Sequence, residues 1–182
     1  MPTTTSDTEP GHAPAAARGS RARRAAALTA AAAVAAAGTA TWFGLRYRDL
    51  DADRAAREEA RSAACAYGAV LADYDADRLD AYFAAVLDRA TGDWRTEFDT
   101  TSRDLRDVLT QGRVVSRAGA VECAVGEGDR DSATAIVVID QTIAGAGTGG
   151  TPRQGRLTVT LSLEREGGRW LVNRVRSPLP DR

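Results

Sequence analysis

The chain contains no lysine: all 24 of its basic residues are arginine. A Schiff-base lysine and the lysine of a phosphate-binding P-loop are therefore excluded. Histidine is almost as scarce, with His12 alone, in a Pro/Ala/Thr-rich stretch near the N-terminus. The part of the chain that reads as folded has no imidazole for a catalytic triad, a haem or a mixed Cys/His zinc site. Two cysteines, Cys65 and Cys123, cannot close a structural zinc site alone. An excess of one charge is also missing. Against the 24 basic residues stand 25 acidic ones, a net charge of −1, which argues against bulk binding to nucleic acid. Most familiar hydrolase and metalloenzyme classes are excluded on these grounds, and what remains implies no cofactor and no metal.

What is present is the balance of a globular protein, 43% apolar and 27% charged over 182 residues. The length suits one domain with an appended segment. Residues 1–24 hold small polar residues, Pro and Ala, then Arg18, Arg21, Arg23 and Arg24; they read as a disordered cytoplasmic tail. Residues 25–45 are uncharged, and 21 residues of helix span roughly 30 Å, the thickness of the hydrocarbon core of a bilayer. Trp42, Phe43 and Tyr47 stand at the far end, where an aromatic belt would sit. The run is mostly Ala, so Leu28, Val34, Trp42, Phe43 and Leu45 must carry its insertion. Three readings stay open: a membrane anchor, a cleaved signal peptide ending near Ala35-Ala36-Ala37, and an Ala-rich helix. As an anchor, its arginine-rich N-terminal flank places the short tail inside and residues 46–178 outside, in a single-pass protein of the cell membrane with the lipid bilayer as its first partner.

Beyond residue 48 the apolar period is helical. One helix is expected over 49–74, with Ala56, Ala60, Ala64, Tyr67 and Leu71 among its apolar positions, a second from Asp77 as cap, and a third over about 93–111. Gly92 is expected to stop the second helix and Gly112 the third. From Arg113 the period becomes two, with strands expected near 113–126, 132–144, 155–166 and 169–176. In the third of these Leu157, Val159, Leu161 and Leu163 share one face and Arg156, Thr158, Thr160 and Ser162 the other, so one face is buried and one is wet. Three helices followed by four strands predict an α+β fold with the helices on one face of an antiparallel sheet.

Several motifs imitate sites. Asp73, Asp75 and Asp77 resemble the start of a calcium loop, but Arg78 and Ala84 stand where Gly and Glu are needed. The stretch Gly145-Ala146-Gly147-Thr148-Gly149-Gly150 leads into a strand, not a helix, so it is a hairpin connection and not a phosphate loop. Thr91-Gly92-Asp93-Trp94 reads first as a connection between helices. Tyr67, Tyr74, Tyr82, Phe83 and Trp94 read either as core or as the lining of a lipid-sized pocket. Asp140-Gln141 interrupts an apolar strand, and one of the two is expected to face the interior. With no His or Lys to pair with, Asp140 reads as a structural hydrogen-bonding group before a base.

The order of anchor, long helix, short helix, Thr91-Gly92-Asp93-Trp94, Phe98, Val138-Ile139-Asp140-Gln141 and Trp170-Leu171-Val172 resembles the Mce-associated membrane proteins of actinobacteria, over residues 20–178. The resemblance implies an NTF2-like extracytoplasmic domain, a cone of three helices on a curved four-stranded antiparallel sheet. It implies a non-enzymatic accessory role beside Mce lipid-import transporters, with protein partners in that complex and no catalytic residues. The alternative is a small-ligand binder or enzyme using the cavity of the fold, with Tyr67, Tyr74, Tyr82, Trp94 and Asp140 as its lining. In such a fold the first helix packs on the sheet, so Cys65 and Cys123 can approach and, outside the membrane, form a disulfide. Two unlinked buried thiols are the rival reading.

Overall fold

Small residues at every fourth position decide how the first helix packs. Ala56, Ala60, Ala64, Gly68 and Ala72 fall on one face at i, i+4 spacing, and all five are buried. With so little side chain between them, helix and sheet approach closely: a Cβ on Gly68 would lie 2.6 Å from Val137 Cγ1 and 3.3 Å from Ile139 Cδ1. The structure is a computed structural model that describes Trp42 and residues 46–177. It divides into two compact units, Met1–Asp49 and Leu50–Arg182, of which the second carries the fold. The tail 1–24 and, Trp42 apart, the apolar run 25–45 lie outside the described residues. Among the described residues no helix is long and apolar enough to cross a membrane.

Helix α1 (46–72) is followed by strand β1 (Tyr74–Asp75), a 3-10 turn (Ala76–Arg78), α2 (Leu79–Asp88) and α3 (Gly92–Gln111). Then come β2 (Val115–Gly128), β3 (Ser132–Ala144), β4 (Arg153–Glu166) and β5 (Arg169–Arg176). The architecture is α+β, as expected, with the five strands forming one antiparallel sheet in the order of the sequence. The expected sheet has four strands. The fifth, β1, is two residues paired with Val115 and Ser116 at one edge. Alternation runs as the pattern requires: Ala133, Ala135, Val137 and Ile139 of β3 and Val159, Leu161 and Leu163 of β4 are buried beneath the helices.

Two helix boundaries are corrected. Asp77 does not cap the second helix; Asp75 does the capping, accepting from the Asp77 N–H at 3.1 Å, and it caps the 3-10 turn that leads into α2. Gly92 does not stop α2, which ends at Asp88. It opens α3 with φ +54°, a conformation that favours glycine. The reason is tertiary. The chain between the helices is pinned to β5, with Thr91 N–H donating to Val172 O at 2.8 Å and Val172 N–H to Arg89 O at 2.9 Å. A left-handed residue must then turn the chain into α3. Gly112 does close α3. The Gly-rich connection 145–150 holds a short 3-10 turn fixed by Ala146 N–H to Gly112 O at 2.7 Å.

Candidate functional site

Part of the core between helices and sheet is a cluster of rings. Phe98 of α3 has ring centroids 5.8 Å from Phe83, 5.4 Å from Trp94 and 6.3 Å from Tyr82, and Tyr82 lies 5.4 Å from Phe83. Tyr82 in turn lies 5.3 Å from Tyr74. On the far side of Phe98, the indole N–H of Trp94 donates to the phenol oxygen of Tyr67. Burial drives the Tyr67 phenol up to about 12, against the smaller opposing effect of the Trp94 bond. Tyr82 and Tyr74 are raised for the same first reason, burial. The phenols are therefore neutral near pH 7 and serve as packing surfaces and hydrogen-bonding groups.

Outside this cluster an open groove of about 390 Å³ runs between the end of α1, β1 and α2. Tyr74, Tyr82, Val70, Ala81 and Ala85 give its apolar walls. Its charged rim is organised by Arg117 of β2. Its guanidinium meets Asp75 at 2.6 Å and Asp73 at 3.5 Å and donates to Tyr74 O at 3.0 Å. Arg78 adds a contact to Asp75 at 3.6 Å. The Arg117 hydrogen bond, then the Asp77 N–H, hold the Asp75 carboxyl below the usual carboxylate range. An acid held ionised in this way is a poor proton donor or acceptor near pH 7. The groove offers apolar contact edged by balanced charge.

Asp140 sits elsewhere. Strand period two buries Val137 and Ile139 and turns Asp140 to the opposite face of the sheet, away from the four aromatic residues with which it was grouped as cavity lining. There its carboxylate meets Arg156 Nε at 2.7 Å, and that hydrogen bond holds its pKa down. Gln141 is the member of the pair that faces inward, where the buried Ser116 hydroxyl donates to its Oε1 at 3.4 Å and to Ala72 O at 2.7 Å. Of the expected lining residues, Tyr67, Tyr74, Tyr82 and Trp94 are brought together, with Tyr74 and Tyr82 reaching the groove. Cys65 of α1 and Cys123 of β2 are joined as a disulfide, with Cα atoms 5.7 Å apart. The sequence reading missed Arg117, whose partners lie 42 to 44 residues away and leave no local spacing to notice.

The fold and site define a class: an α+β domain whose helices cover one face of an antiparallel meander and enclose a ring-packed interior. Within it the chain belongs to the family described as uncharacterized protein Rv1363c/MT1408-like, whose model matches residues 20–177. Two relatives come from Mycobacterium tuberculosis H37Rv. Rv1363c is 29% identical over 127 residues, covering 66% of this chain and 48% of that protein. Rv1362c is 29% identical over 140 residues, covering 75% of this chain and 63% of that protein. The chain thus spans between about half and under two thirds of the length of these relatives. Among solved structures, an IcmL-like type IV secretion system protein from Legionella pneumophila shares the fold. Its TM-score is 0.55 at 16% identity, over 66% of this chain and 91% of that one.

Proposed function

We propose that this protein is a non-enzymatic accessory subunit of an Mce-type lipid-import system. In this reading residues 25–45 anchor it as a single span and the NTF2-like domain, residues 46–178, stands outside the membrane. The observation that carries the reading is the ring-packed core. Phe98, Phe83, Tyr82 and Trp94 pack ring against ring in the core, and Asp140 lies on the other face of the sheet, ion-paired with Arg156. A packed domain of this kind acts through its surface. The IcmL-like protein that shares the fold is itself a secretion-system protein, so the fold is compatible with service in an envelope assembly.

The test is deletion of the gene in its own bacterium, followed by quantification of each Mce complex in native membranes. The expected result is a loss of transporter abundance or assembly, with lipid uptake falling in proportion. Unchanged abundance and assembly of every Mce complex overturns the reading. The second reading, a lipid-binding domain, is favoured by one observation, the groove walled by Tyr74 and Tyr82. An Ala85→Trp variant that fills the groove separates the two: the accessory subunit keeps its function and the lipid binder loses it.

A further inference from the structure

The two edges of the sheet differ in how they are protected. Strand β5 is short and carries Arg169, Arg174 and Arg176. Its Val172 is bonded through C=O and N–H to Thr91 and Arg89, so part of that edge is covered from within the molecule. Charge and cover of this kind keep an edge from pairing with another chain. Strand β2, at the other side, is 14 residues long, and β1 takes only Val115 and Ser116. Among the described residues only β3 bonds the backbone between residues 118 and 127. Residues 118–126 hold one charge, Glu122, and no proline. Register shifts between Ala118 and Val121 and between Val125 and Gly128 frame residues 121–125 as a regular run, the length of an ordinary strand. Along it every second residue turns its N–H and C=O away from β3.

We propose that this run receives an extended segment of a partner protein, which joins the sheet as a strand beside β2. The proposal deepens the accessory reading and rests on it for the presence of a partner subunit. In such an addition backbone hydrogen bonds give affinity and side chains at alternate positions select the partner. Here α1 sets the selection. The Cys65–Cys123 bond and the contact of Arg57 with Gly128 O hold α1 alongside this edge. Arg61, one turn from each of Arg57 and Cys65, is neutralised by Glu58 at 2.6 Å. Arg57 is exposed and meets no carboxylate among the described residues. The occupant is therefore a short strand with an acidic side chain at the end beside Gly128, where it pairs with Arg57. Val121, Cys123 and Val125 pack toward the core, so the added strand is apolar where it lies against them. A second copy does not fit this description. Symmetric pairing of two β2 edges is antiparallel and brings the partner's Arg117, not an acid, toward Arg57.

The experiment places a photo-crosslinking amino acid in the full chain, in its own bacterium, at the exposed positions 122 and 124, and at 103 on α3 as a control. Mass spectrometry then locates each bond. The expected result is that 122 and 124 both reach one partner, at residues two apart in a single segment, while 103 does not reach that segment. Proline placed in turn at Val121, Glu122, Ala124 and Val125 tests the backbone bonds. A proline whose lost N–H faced the edge leaves thermal melting near wild type and lowers the crosslink yield about tenfold. Arg57→Glu, on the surface of α1, gives a second route and is expected to lower the yield about tenfold by repelling the acid. No crosslink at 122 and 124 overturns the proposal. So do crosslinks to lipid, to a second copy of the chain or to scattered residues of a partner, and so does a yield that the folded variants leave unmoved. A strand-like pattern on a protein outside every Mce complex supports the edge and removes the Mce reading. Deletion that lowers Mce abundance while the edge yields no crosslink does the reverse.

Discussion

Tyr67 and Trp94 tie α1 to α3 through one hydrogen bond inside the core, the indole donating and the phenol accepting. Tyr67 is 1% exposed, so water does not replace a lost partner. Tyr67→Phe strands the indole N–H, and Trp94→Phe strands the phenol. Each is expected to cost about 1–3 kcal/mol. The double variant leaves no stranded group, so its cost should fall clearly below the sum of the two. Urea denaturation of the four proteins measures the coupling; strict additivity would show that the bond contributes nothing.

The same phenol makes stability depend on alkaline pH. In the unfolded chain Tyr67 ionises near its ordinary value of 10, and in the folded protein near 12. Its contribution is fully present below pH 10. Between those values the unfolded state releases its proton first, so stability falls as pH rises, by roughly 2–3 kcal/mol in total. Tyr82 and Tyr74, also raised by burial, act in the same direction. With no lysine in the chain, no side-chain ammonium titrates in this window. Denaturation midpoints at successive pH values should drop above pH 10, and tyrosinate absorbance should rise together with unfolding. A flat profile to pH 12 contradicts this.

How far the sequence discloses the site depends on whether a local period exists. In β4, apolar and polar residues alternate from Arg156 to Leu163, and the buried face is legible at once. In β3, Ala135-Ile136-Val137-Val138-Ile139 is apolar at both parities. No alternation tells which parity is buried, so the side taken by Asp140 was not readable, and it was grouped with rings on the opposite face. Strand β1 is two residues long, too short for any period, and exists because Arg117 and β2 hold it. Gly92 looked like a helix stop because glycine usually is one; its role as the first residue of α3 comes from β5, some eighty residues away. The Cys65–Cys123 pairing was within reach because only two cysteines exist and the fold lays α1 on the sheet.

Gly68 is expected to resist the smallest substitution. Alanine would gain about 1 kcal/mol of helix propensity at this position. Its methyl carbon, however, would lie 2.6 Å from Val137 Cγ1, a branched and fully buried side chain that cannot swing aside. Overpacking of this kind costs about 1–3 kcal/mol. Gly68→Ala should therefore destabilise the protein on balance. Val137→Ala removes the opposing methyls, so the pair of substitutions should cost less than their sum. A Gly68→Ala protein as stable as wild type would mean that α1 shifts on the sheet at little cost.

The disulfide is expected to matter most at the sheet edge it touches. Strand β1 covers only Val115 and Ser116 of β2, so the rest of that edge is held from α1. The ties are the Cys65–Cys123 bond and, near the far end, Arg57 donating to Gly128 O at 3.5 Å. The bond closes a loop with a sequence separation of 58, worth about 4 kcal/mol in the chain-entropy model. Replacing both cysteines by alanine should lower stability by an amount of this order. The loss should not be uniform. Strand β3 keeps both of its neighbours, whereas β2 loses the link that holds its open edge to α1. Hydrogen exchange of the double variant should therefore quicken first between Arg117 and Val125 and in the middle of α1, with β3 and β4 following only at global unfolding. Equal acceleration in β2 and β4 would show that the bond stabilises the fold through the unfolded chain alone and does not locally clamp the edge.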